Sequence, residues 1–63
     1  MRYVKEYANT VINLYPEIEA QVMKIVHLHE RSFISSLEAV DVIATTLRRE
    51  KERLLDEQKK VTV

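Results

Sequence analysis

The chain has 63 residues, with ten basic and ten acidic side chains, no cysteine, no glycine and one proline. This length holds a single domain, and a domain so small buries only about 60% of the surface its unfolded chain exposes, which leaves a monomer little margin of stability. Disulfides and thiolate zinc sites are excluded as reinforcement, so oligomerisation remains; glycine-dependent phosphate loops are excluded too, and the balanced charge does not mark the whole chain as a polyanion binder.

The first segment places Val4, Tyr7, Ala8, Val11, Leu14 and Tyr15 on one helical face, and Arg2, Lys5, Glu6, Asn9 and Asn13 on the other. This spacing predicts a helix over residues 2–14. Pro16 disfavours the α region for Tyr15 and suits the first position of a new helix, and Glu17 and Glu19 complement that helix's positive end. A second helix is therefore predicted over 16–31. Its stripe is Ile18, Val22, Ile25 and Leu28, widened by Met23 and Val26, which is broad enough to touch two neighbours.

Residues 32–36 form the one cluster of small polar residues, and Ser35 with Glu38 has the spacing of a capping box. Phe33 and Ile34 precede that cap and are placed to staple the connection onto the bundle. A third helix is predicted over 36–59. Leu37, Val40, Ala44, Leu47 and Leu54 follow a 3,4 alternation that Val61 completes, with Lys51 and Gln58 as polar interruptions. Such an imperfect heptad describes a bundle helix with an amphipathic far end better than a long dedicated coiled coil. Ile43 and Leu55 lie off this seam, available for a second contact.

The expected fold is thus all-α: one domain over 1–63, a helical hairpin plus a long third helix. At 1.5 Å per residue the helices measure roughly 18, 22 and 36 Å. The hairpin can cover Leu37 through Leu47 but not Leu54, Leu55 and Val61. An uncovered helix end frays in water, so the overhang predicts a homodimeric bundle. Met23, Val26, Ile43, Leu47, Leu54 and Leu55 are the predicted interface residues.

Catalytic chemistry finds no constellation. His27 and His29 point in directions about 200° apart on a helix and cannot share one ion. Ser32, Ser35 and Ser36 lack a positioned base and an oxyanion site and read as caps. Tyr3, Tyr7 and Tyr15 follow the buried face of the first helix and read as packing residues rather than base-stacking platforms.

Charge is unevenly spread. Four basic and six acidic residues in 1–47 give a net −2, and six basic with four acidic in 48–60 give a net +2. Arg48, Arg49, Lys51 and Arg53 are candidate nucleic-acid contacts, and residues 35–53 have the length of the two helices of a helix-turn-helix. Against this, residues 43–46 contain no turn former. Glu50, Glu52, Asp56 and Glu57 interleave the cations, and Arg53–Glu57 and Asp56–Lys60 are ordinary i, i+4 pairs.

The expected function is therefore non-enzymatic, with no cofactor and no metal: a small helical adaptor or regulator acting as an oligomer on a partner protein. A nucleic-acid-binding regulator and a purely structural oligomer are the alternatives. No basic and apolar leader is seen, and the uncharged stretch over residues 8–16 is broken by Asn9, Thr10 and Asn13, so neither a signal peptide nor a membrane span is expected, and the cytoplasm is the expected location.

Overall fold

Pro16 divides the first half of the chain where expected. In the computed structural model, which describes the backbone of residues 2–61 and the side chains of 3–59, helix α1 spans Arg2–Leu14. Tyr15 follows at φ −135° and ψ 78°, the extended geometry proline imposes on its predecessor. The chain then differs from the single helix predicted over 16–31. Pro16–Ile18 forms a 3₁₀ turn, closed by the Ile18 amide donating to the Tyr15 carbonyl at 3.1 Å, and helix α2 proper spans Glu19–Glu30. A tight first turn is a common way for a helix to start, and here it ends on the buried Ile18.

α2 ends in a Schellman motif. The Phe33 amide donates to the Leu28 carbonyl at 3.0 Å and the Ser32 amide to the His29 carbonyl at 3.0 Å. This closure requires a left-handed residue, and in a chain without glycine Ser32 takes it at φ 65°. A side chain in that region costs about 1–2 kcal/mol. Ser32→Gly is therefore expected to stabilise the fold by up to about 1 kcal/mol once the greater freedom of glycine in the unfolded chain is deducted. Ser32→Val is expected to destabilise it. Thermal melts of both variants check this, and equal melting temperatures would contradict the assignment.

The capping box is formed. The Glu38 amide donates to Ser35 Oγ at 3.1 Å and the Ser35 amide to Glu38 Oε1 at 3.3 Å. Helix α3 starts there and spans Ser36–Val61, further than the predicted 36–59. His29 Nε2 and Ser36 Oγ, 2.9 Å apart, tie the end of α2 to the start of α3. Of the two residues expected to staple this connection, Ile34 packs on the core, but Phe33 is 71% exposed. α3 is unbroken through residues 43–46, where the Thr45 and Thr46 hydroxyls donate to the Asp41 and Val42 carbonyls at 3.0 Å. No helix-turn-helix exists within 35–53.

Val4, Ala8 and Val11 of α1, Ile18 of the 3₁₀ turn, Val22, Ile25 and Val26 of α2, and Ala39 and Ile43 of α3 make one core. Tyr7, Ile12, Tyr15, Ile34, Val40 and Leu47 pack around it. The expected stripes were rotated in places: Leu14 and Leu28 face outward, and Val26 lies inside. The described residues form an all-α, three-helix fold without strands, 46 Å long and 17 by 16 Å across. None of these helices is long and apolar enough to cross a membrane. The seam position of Val61 and the Asp56–Lys60 pair involve side chains outside the described residues.

Candidate functional site

The 3,4 seam of α3 is not the face that packs on its own hairpin. Ala39, Ile43 and Glu50 are the buried residues of α3, and at 100° per residue they define a direction about 90° away from the centre of the seam. The face turned to the hairpin carries Ala39 and Ile43, both wholly buried in the core shared with α1 and α2. Leu37, expected under the hairpin, is 81% exposed. Val40 and Leu47 are half-buried along the edge of the core, Ala44 and Leu54 are half-buried without packing on it, and Leu55 is 55% exposed.

Two of the expected interface residues, Val26 of α2 and Ile43 of α3, are instead enclosed within the chain's own core and leave almost no surface for a partner. Met23, Leu47, Leu54 and Leu55 retain accessible surface.

The seam carries two shallow concavities. One, of about 420 Å³, is lined by Leu37, Glu38, Val40 and Asp41. The other, of about 330 Å³, is lined by Ala44, Leu47, Arg48, Lys51, Glu52 and Leu55. Glu38 and Asp41 thus border the N-terminal part of the face, and Arg48 and Lys51, with Glu52 beside them, border its C-terminal part. Beyond Glu50 no described side chain of α3 is buried, so roughly the last three turns project past the hairpin.

The four candidate nucleic-acid contacts do not form one strip. Arg48 and Lys51 share the seam face, whereas Arg49 and Arg53 point about 100° or more away from Arg48. Arg53 is also committed within the chain. Its Nε and Nη2 donate to Glu50 Oε1 and Oε2 at 3.0 and 2.8 Å, and its Nη1 donates to Glu57 Oε1 at 2.6 Å. Glu50 is only 7% exposed. The Arg53 hydrogen bonds hold its carboxyl below the usual carboxylate range, against the opposing effect of burial and with help from Glu17 on the 3₁₀ turn. The guanidinium is correspondingly raised.

Glu50 is a residue sequence reasoning missed, having counted it among solvated charges. A signal existed: it lies seven residues after Ile43 on the buried face, where a carboxylate needs a cation, and Arg53 stands one turn later.

A second apolar surface lies on α2. Met23, Leu28 and the exposed Phe33 line a concavity of about 330 Å³ together with Lys24, His27 and Arg31, and no carboxylate lines it. The Schellman hydrogen bonds fix the backbone that presents Phe33. His27 Nδ1 lies 3.4 Å from Glu30 Oε1, whose other oxygen is 3.6 Å from Lys5 Nζ on α1, a mostly exposed set of pairs that carries little energy. Among the described residues no three His, Asp or Glu side chains converge as a metal site requires. No protein-family model matches the chain, and neither a curated protein nor a solved structure shows significant similarity to it.

Proposed function

We propose that this protein is a non-enzymatic helical adaptor or regulator that acts in the cytoplasm, as an oligomer, by holding a partner protein. The observation that carries this reading is the apolar surface left outside the core: the seam of α3 and the α2 ledge of Met23, Leu28 and Phe33. Patches bordered by polar residues are the usual mark of interaction sites. The polar groups of the chain are spent on caps, an interhelical bond and an intrahelical ion pair, not gathered around a cleft. The ledge, bordered by Lys24, His27 and Arg31, suits the apolar face of an acidic amphipathic helix, the helix-in-groove mode of recognition.

Phe33→Asp tests the reading. The residue is exposed, so the variant is expected to melt within about 0.5 kcal/mol of the parent. It is also expected to lose a protein partner that the parent, used as bait in a cell extract, enriches. If parent and variant retain the same proteins in the same amounts, the ledge is not a docking site. Retention of nucleic acid that vanishes with salt would instead favour the polyanion reading of Arg48 and Lys51.

A further inference from the structure

We propose that the exposed seam of α3 is covered by the same seam of a second copy, running antiparallel in one particular register. The proposal rests on reading this seam as an interaction surface, and it names the occupant. A period of 3.5 residues is the pattern by which one helix covers another, and α3 carries it through Leu37, Val40, Ala44, Leu47, Lys51 and Leu54, all of which keep accessible area although Val40 and Leu47 also touch the core from its edge.

Charge decides the direction. A parallel pair would stack each seam residue on its own copy, setting Lys51 against Lys51 in the middle of the interface. It would also bring both hairpins to the same end. An antiparallel pair sets Lys51 against Val40 instead, and residues 51–54 at the root of each projecting end then lie along the first turns of the other copy's α3.

Charge also decides the register. Antiparallel seams can mesh in alignments one heptad apart. In the central alignment Leu37 meets Leu54 of the second copy, Val40 meets Lys51, and Ala44 meets Leu47. The residues flanking that seam on its outer side are Asp41 and Arg48, and in this alignment Asp41 of each copy faces Arg48 of the other, twice by symmetry. Sliding one heptad in one direction sets Asp41 against Asp41, and sliding in the other sets Arg48 against Arg48. Only the central alignment pairs opposite charges.

The same alignment accounts for the polar interruption of the heptad. Lys51 lays its aliphatic stem over Val40 of the second copy and carries its ammonium to the acidic border formed there by Glu38 and Asp41. The concavity around Leu37 meets the one around Leu47 and Leu55, which makes the surface self-complementary as a two-fold dimer requires. The contact from Leu37 to Leu54 runs for about 26 Å.

The natural chain has no cysteine, so engineered ones report cleanly. Leu37→Cys and Leu54→Cys, mixed and mildly oxidised, are expected to form a disulfide joining the two variants, while neither variant alone cross-links. Cross-linking of either variant with itself, or no cross-link in the mixture, overturns the arrangement. The charge pairs give a second test by light scattering over a concentration series. Asp41→Arg and Arg48→Asp are each expected to weaken the dimer about tenfold, and the doubly swapped chain is expected to recover to within about twofold of the parent. Both positions are exposed, so unchanged helicity by circular dichroism shows that the single variants still fold. A double swap no better than either single, or a parent that stays monomeric throughout, overturns self-pairing. The adaptor reading would survive that result, because it is tested separately by loss of a partner on Phe33→Asp.

Discussion

Ile43→Ala is expected to unfold most of the protein. Ile43 is wholly buried and is the largest fully buried side chain of a core whose members come from all three helices. Truncating such a residue costs about 2–5 kcal/mol, through lost transfer energy and the cavity left behind. A domain of this length draws only about 3–5 kcal/mol from its core, so the loss is comparable with the whole stability. Ile43→Val removes one methyl group and is expected to cost about 0.5–1.5 kcal/mol, which leaves a folded intermediate in the series. Urea titrations followed by circular dichroism, at one fixed protein concentration because self-association stabilises by mass action, should rank parent, valine and alanine in that order. An alanine variant with the parent's midpoint would mean that Ile43 does not join the three helices.

How far the fold was legible depended on whether a feature is local. Pro16 with Tyr15, and Ser35 with Glu38, act through backbone groups a few residues away, and the structure forms both as expected. The rotation of α3 was not legible, because Leu37, Val40, Ala44 and Leu47 form a better apolar stripe than Ala39, Ile43 and Glu50 do. The strongest stripe was assigned to the hairpin on that ground. In the structure Ala39 and Ile43 are wholly buried, and an arginine one turn away makes Glu50 tolerable on the same buried face. The left-handed residue was not legible either: with no glycine to mark it, Ser32 takes that conformation because two Schellman hydrogen bonds hold it there. The candidate surface was legible in part, since Leu47, Leu54 and Leu55 keep exposed area while Val26 and Ile43 do not.

The pH dependence of stability is expected to reverse locally on Arg53→Met. In the parent, Arg53 keeps the Glu50 carboxyl below its ordinary value, which is near 4.3 in unstructured peptides, about the value expected of the unfolded chain. A depressed folded value means that the unfolded chain binds protons first. The pair therefore contributes its full stability above the unfolded value and loses it as pH falls through the lower, folded one. Methionine preserves much of the arginine stem but none of its hydrogen bonds, and burial, a larger effect on Glu50 than the opposing Glu17 contact, then dominates. Burial disfavours the charged form and raises the carboxyl above its unfolded value, so acidification through that range relieves the variant instead of harming it. Other carboxylates titrate in the same window, which makes the parent's slope ambiguous by itself. Differences from a second pair of chains, Glu50→Gln with and without Arg53→Met, remove that background. The stability lost on Arg53→Met should shrink steadily as pH is lowered from neutral towards 3 when Glu50 is present, and should be small and flat when Glu50 is glutamine. A loss of the same size at every pH would show that Arg53 matters through its packing, and that the charge of Glu50 is held by water instead.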